Sequence, residues 1–288
     1  MSAEAGVAAG ASAPEGAARG RTKSPSAPRR SLPALPSWAG GLVGLAVVLL
    51  VWTVLALTVL EDGGAVPTPL AVAKRLADDG WDFYEPHVSG TAWEAARGYF
   101  WGNLLAIGLA VVAVLLPFLE RLITQLAVAS YCLPIIAIGP ILMILLDGDK
   151  PIVTLAAQLC FFTTLTGALA GLRAADQTSL DLVRAYGGGR WQQMRRVRLI
   201  AALPATFAAL RIAAPAAVLG AIIGEYMGRV EQGLGLAMIV AQQQLNADRT
   251  WGVALVSAAL AGVGYAIVAL VGRVVTPWAK DTGVGGGR

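Results

Sequence analysis

The sequence predicts an all-α, polytopic membrane protein with six transmembrane helices and both termini in the cytoplasm. Three observations carry that prediction. Of 288 residues, 56% are hydrophobic and 14% charged, and the mean hydropathy is +0.65. An ordinary soluble domain carries about 25% charged residues. Several apolar runs exceed the roughly 18 residues that mark a membrane-spanning helix. Lys and Arg are also distributed unequally between the segments that join those runs.

Residues 1–37 are dominated by Ala, Gly, Ser, Pro and Arg, with almost no large apolar side chain. Such a segment cannot bury enough surface to order itself and reads as a disordered cytoplasmic tail. It has no apolar core of the signal-peptide type, so the first apolar run is expected to stay as a membrane helix. A transmembrane domain over 38–280 and a short tail over 281–288 complete the expected organisation.

The six spans are placed at Ala39–Leu60, Gly98–Leu116, Leu122–Leu146, Pro151–Leu172, Pro204–Glu225 and Trp251–Thr276. Each is long enough for a hydrocarbon core of about 30 Å with some tilt. The third holds Pro134, Gly139 and Pro140, and the fifth holds Arg211 and Pro215. Interrupted helices are tolerated where neighbours satisfy the freed backbone, so these two are expected to face protein. With the N-terminus inside, 15 Lys and Arg fall on the cytoplasmic side and 6 outside, with Arg211 inside a span. That imbalance sets the orientation. Glu61 to Arg97 becomes an acidic outer loop, whose Trp81, Tyr84 and Trp93 are expected to anchor at the membrane interface.

Little catalytic chemistry is available. His87 is the only histidine, and Cys132 and Cys160 lie in apolar runs as expected of small hydrophobes. There is no H-E-x-x-H, G-x-S-x-G or G-x-x-x-x-G-K-[ST] motif. The chain reads as a non-enzyme without cofactor or metal. Its pI near 9.3 reflects basic residues beside membrane segments, which sets topology and lipid contact and does not point to nucleic acid.

The loop from Asp181 to Pro204 is patterned beyond the needs of a connector. Ser179 is expected to cap a short helix whose first turn holds Asp181. Leu180, Val183 and Tyr186 would share one face. Gly187 would end the helix at positive φ, and Gly188 and Gly189 would continue the turn. A second, Arg-rich helix is expected from Arg190, with Trp191 and Met194 on one face and Arg195, Arg196 and Arg198 elsewhere. Pro204 would then open the fifth span as a first-turn proline. A small capped helix of this kind suits a groove on a soluble partner, and the arginines suit anionic headgroups.

This loop resembles the EAA loop of permease subunits of prokaryotic ATP-binding-cassette importers. Asp181-Leu182-Val183 stands for the Glu-Ala-Ala triplet, Gly187 for the glycine that follows, and Val197-Arg198-Leu199 for the later apolar part. Two departures are plain: the triplet itself, and Ile200 where proline is usual. Leu203-Pro204 is similar to a second Leu-Pro of the nitrate/sulfonate/taurine-type branch. Pro67-Thr68-Pro69 resembles that branch's Pro-Ser-Pro after the first span. Gly224-Glu225-Tyr226 with Gly233-Leu234-Gly235 resembles its Ala-Glu-Phe…Gly-Leu-Gly stretch. The similarity covers about residues 40–280.

The resemblance implies a permease of the plasma membrane that forms half of a translocation pathway, with a second copy or sister permease as the other half. It implies two cytoplasmic ATPase subunits and an extracytoplasmic binding protein. Loop 173–203 would be the coupling element, with Asp181, Val183, Arg184, Tyr186, Gly187 and Arg190 at the ATPase contact. The branch implies a small organic or inorganic anion, or a heterocyclic vitamin precursor, as substrate. Arg211 and Glu225 are candidate pathway residues, as intramembrane or near-membrane charges. The alternative is a secondary transporter or channel with its own intramembrane substrate site, although no convincing internal repeat is present.

Overall fold

The computed structural model describes residues 37–58, 66–228 and 230–282. The expected tail over 1–37 falls almost wholly outside these, as does most of 281–288. Ten α-helices follow in chain order among the described residues: α1 Ser37–Thr58, α2 Pro69–Leu115, α3 Pro117–Cys132, α4 Ile135–Leu145, α5 Lys150–Arg173, α6 Gln177–Ala185, α7 Arg190–Gln193, α8 Leu199–Met227, α9 Leu234–Gln243 and α10 Ala247–Val275. The chain divides into two units at Val47/Val48, within α1. The elements from α2 onward belong to the second unit. Five helices are long and apolar enough to cross a membrane, or six if α3 and α4, bent by 96° at their junction, form one broken span. Pro134 stands at that break as the residue before α4.

Helix α5 is the centre of the packing, held between α2 and α8. Small residues permit the approach. A Cβ on Gly98 would lie 2.4 Å from Ala156 Cβ, and one on Gly220 would lie 2.6 Å from Ala156 Cα. Close backbone contact through small residues is how helices associate where hydrophobicity gives no driving force between them. Polar contacts cross the α2–α5 interface as well: Thr164 Oγ1 donates to Asn103 Oδ1 at 2.5 Å, with both residues buried.

Several expectations change here. The outer loop Glu61–Arg97 is helical from Pro69 onward and continues into the second span as α2. Thr68 caps it by accepting Ala71 N–H at 3.2 Å, and Pro69 occupies the first turn. The helix breaks at Gly80, whose φ is +67°. Asp79 beside the break accepts from Arg249 Nε and Nη2 at 2.9 and 2.5 Å and pairs with Arg75 at 3.1 Å, which ties the break to the start of α10. Tyr84 is no interface anchor. It is buried against Leu234, Ala237 and Val253, whereas Trp81 and Trp93 are exposed.

Pro204 does not open the fifth span. It lies inside α8, which is continuous with α7 through a π-helical stretch over Met194–Arg198. The apolar run and its flanking arginines thus make one helix from Arg190 to Met227. A proline inside a membrane helix is tolerated where neighbours repair the backbone. Beside the turn interrupted by Pro215, Tyr99 Oη donates to Leu210 O at 3.2 Å. The third span differs from the fifth. Within this chain, α4 leaves Ile136, Ile144 and Leu145 exposed. Cys132 is exposed as well, while Cys160 is buried.

Candidate functional site

The candidate site is the segment between α5 and α8. Its short helix α6 is capped by Asp176, not by Ser179. The Asp176 carboxylate accepts from Ser179 N–H at 2.9 Å and from Ser179 Oγ at 3.0 Å. Both residue types are good caps, and the acid three residues earlier takes the N-terminal position. The donated N–H holds the Asp176 carboxyl below the ordinary aspartate range. Asp181 therefore lies in the middle of the helix, where it pairs with Arg184 at 3.1 Å and accepts from Gln177.

The C-terminus of α6 shows why glycines follow it. Gly187 N–H donates to Arg184 O and Gly188 N–H donates to Val183 O, both at 2.8 Å. These are the two bonds of a Schellman motif. Gly187 has φ +78°, a conformation that costs an L-residue about 1–2 kcal/mol. Gly188 is held by space instead: a Cβ there would lie 2.4 Å from Val183 Cγ1 and 2.6 Å from Val183 O. A Cβ on Gly189 would meet nothing within 4 Å.

One side chain ties α6 to α7, and two fasten the segment to α5 and α2. Gln193 Nε2 donates to Leu180 O at 3.2 Å, Arg198 Nη1 to Leu172 O at 2.9 Å, and Arg190 Nη1 to Leu115 O at 3.5 Å. Arg173 pairs with Glu120 at the same end of the bundle. Met194 is buried in the cluster that holds Ala106, Leu165 and Leu172. It therefore does not share a face with Trp191, which is exposed.

The apolar face of α6 divides. Leu180 is 2% exposed and turned inward. Leu182 is 59% and Tyr186 86% exposed, and a spacing of four places them on one face. The outward surface is thus Leu182 and Tyr186, with Asp181 and Arg184 beside them. Leu182 was missed in favour of the three-residue spacing Leu180–Val183–Tyr186. Its spacing of four to Tyr186 was the available signal. Val183 is partly buried beneath Gly188, and Arg190 reaches back to α2 instead of outward.

A second cluster lies at the other end of α8. Gly233, Leu234 and Gly235 open α9 with three successive N–H groups, and each is accepted by a side chain from another helix. His87 Nδ1 accepts Gly233 N–H at 3.0 Å, Thr91 Oγ1 accepts Leu234 N–H at 2.9 Å, and Glu225 Oε2 accepts Gly235 N–H at 2.6 Å. A helix start leaves such donors unsatisfied, and a carboxylate there also suits the helix dipole. Glu225 is 0% exposed, and Glu94 faces it from α2. Glu225 thus fills the packed interior and lines no open space in this chain. Arg211 lies elsewhere, in a cleft between α8 and α10. No group of three or more His, Cys, Asp or Glu that could hold a metal occurs among the described residues.

Residues 102–281 match the family model described as binding-protein-dependent transport system inner membrane component. A probable ABC transporter permease protein of Haemophilus influenzae is 29% identical over 72% of this chain and 84% of its own length. A formylaminopyrimidine transport permease protein of Halalkalibacterium halodurans is 25% identical over 81% of this chain and 93% of its own. A riboflavin transport system permease protein of Chloroflexus aurantiacus is 27% identical over 74% and 80%. The family match spans well over half the chain and covers the segment between α5 and α8, both ends of α8, and α9. This multi-pass plasma-membrane transport subunit belongs to the family of binding-protein-dependent transport system inner membrane components.

Proposed function

We propose that this importer permease is driven through α6, whose Leu182–Tyr186 face seats in a cleft on a separate cytoplasmic ATPase subunit. The observation that carries the reading is the exposure of those two apolar side chains on a capped helix that is held by α7, whose segment is bonded in turn to α5 and α2. A large aromatic side chain held in the open at the end of a fixed helix is what a hot-spot contact needs. Asp181 and Arg184 flank it, Gly187 shapes its end, and Arg190 and Val183 act by holding the segment in place.

Two ATPases acting on two such helices would rock the permease halves between inward- and outward-facing states, a rigid-body change of packed helices. The exposed face of α4, with Ile136, Ile144 and Leu145, supports a second permease copy or sister chain on that side. A binding protein would deliver the solute at the end of the bundle that holds α9. Glu225 would serve the pathway there by holding the start of α9 in place. The relatives named for formylaminopyrimidine and riboflavin support a small heterocycle as the cargo. A relative named for aliphatic sulfonates supports a small anion.

Disulfide trapping tests the docking. Tyr186→Cys should crosslink to cysteines placed along the ATPase cleft, and Trp81→Cys, at the opposite end, should not. Absence of any Tyr186→Cys crosslink in a complex that still hydrolyses ATP would overturn the reading.

A further inference from the structure

Among the arginines at this end of the bundle, Arg195 and Arg196 lie exposed on the surface, whereas Arg211 and Arg273 line a cleft. Arg190 and Arg198 donate to backbone carbonyls, and Arg173 and Arg184 pair with carboxylates. Arg211 and Arg273 have neither kind of partner among the described residues, and both line one cleft of about 340 Å³ between α8 and α10. Phe207, Val268, Gly272 and Tyr265 also line it.

The packing fixes the relative depth of these groups. Gly272 lies against Phe207, where a Cβ would meet the ring at 3.3 Å. Arg211 is four residues beyond Phe207, one turn or about 6 Å deeper along α8. Arg273 follows Gly272 and stays near the level of Phe207. Gly264 lies against Ala214, so Tyr265 is slightly deeper than Arg211. The cleft thus stacks a guanidinium, a second guanidinium and a phenol along about two helical turns. Its flank is exposed and apolar, with Ile267, Leu270, Val271 and Val274 on α10.

We propose that this cleft binds the phosphate of an anionic membrane phospholipid from the cytoplasmic leaflet, with Arg211 and Arg273 on the phosphate and the acyl chains along α10. Charge complementarity chooses the occupant. A neutral apolar segment would cover two guanidiniums without giving either a counter-charge. A second basic surface would be repelled. A phosphodiester satisfies planar guanidinium donors well. The basic ends of α8 and α10 lie on the side that the Lys and Arg imbalance assigns to the cytoplasm, and basic pockets between membrane helices on that side suit lipid headgroups. The apolar flank excludes a purely aqueous anion as the better fit, because it would leave that surface bare.

The test uses the full chain in micelles with equal phosphatidylglycerol and phosphatidylcholine of matched acyl chains, read by native mass spectrometry. Wild type should retain phosphatidylglycerol in preference, by up to about thirtyfold if each guanidinium contributes about 1 kcal/mol. The double variant Arg211→Gln/Arg273→Gln should lose the preference. Ala269 also lines the cleft, and Ala269→Leu, which fills it and keeps both charges, should lose the preference too. Lys74→Gln, an exposed cation on α2 outside the cleft, should keep it. Equal retention of the two lipids by wild type would overturn the proposal, as would full retention by the double variant. Protection of Arg211 from phenylglyoxal by inorganic phosphate, without any lipid preference, would assign the cleft to a soluble anion and also overturn it.

Discussion

Glu225 Oε2 accepts the Gly235 N–H at 2.6 Å, and so one carboxylate at the end of α8 holds the first turn of α9. Gly233 leaves room for it: a Cβ there would lie 2.5 Å from Glu225 Cδ. Its φ of +152° is also one that a side chain rarely adopts.

Glu225→Ala should therefore destabilise the protein by about 1–3 kcal/mol, the cost of leaving a buried donor without an acceptor. Glu225→Gln keeps an acceptor oxygen at the same reach and should lose less. Thermal unfolding of the purified chain in detergent gives the order. Equal midpoints for Glu225→Ala and wild type would show that the bond to Gly235 holds nothing.

Glycine substitutions should separate conformation from space. Gly187→Ala should cost about 1–2 kcal/mol locally, and Gly188→Ala should disturb the same turn by displacing Val183. Gly189→Ala, which meets nothing, should behave as wild type. Solute-stimulated ATP hydrolysis and transport, measured in one proteoliposome preparation, should fall together for the first two and stay level for the third.

Charge on the outward face of α6 should separate docking from folding. Leu182→Asp and Tyr186→Asp should leave membrane insertion and unfolding midpoint unchanged, since both side chains are exposed. ATPase co-purification should fall at least about tenfold, the loss that removing one hot-spot contact of about 1.4–2 kcal/mol produces. Leu180→Asp should instead lower the unfolding midpoint, because Leu180 is buried beneath the helix.

The Asp176 cap carries a pH dependence of known sign. Its folded carboxyl is held below the ordinary value of 3.8 by the Ser179 bonds. Its stabilisation is then complete above that value and is lost as the pH falls through the lower folded one. Limited proteolysis between Arg173 and Arg190 should accelerate below about pH 4 in wild type. Asp176→Asn, which caps without titrating, should remove the acid step at this site.

The long spans were legible because length and apolarity belong to a segment by itself. Gly187 was legible because a helix stop at positive φ is a local demand. What failed depended on distant partners. Leu180 reads as part of an outward face by spacing alone, yet it is buried, and Gln193, thirteen residues on, holds its carbonyl. The outer half of α2 looked like a loop because Gly80, Pro86 and its acids are poor helix signals. Arg249 on Asp79 and the packing of Tyr84 against α9 hold it helical. The Gly-Glu-Tyr and Gly-Leu-Gly stretches could be read as words, but not the 2.6 Å bond that joins them.

One helix runs without a loop from Arg190 to Met227, about 57 Å at 1.5 Å per residue. It begins beside α6 and ends at the carboxylate that grips α9. If α6 docks as proposed, a stroke delivered at its inner end would meet no loop before the bilayer, and the helix itself would carry the displacement. The π-helical turn at Met194–Arg198 is where its hydrogen-bond register departs from α, and on that reading it would be the pivot. The lever arm on one side of that pivot is a single turn, and on the other it is the whole thickness of the membrane.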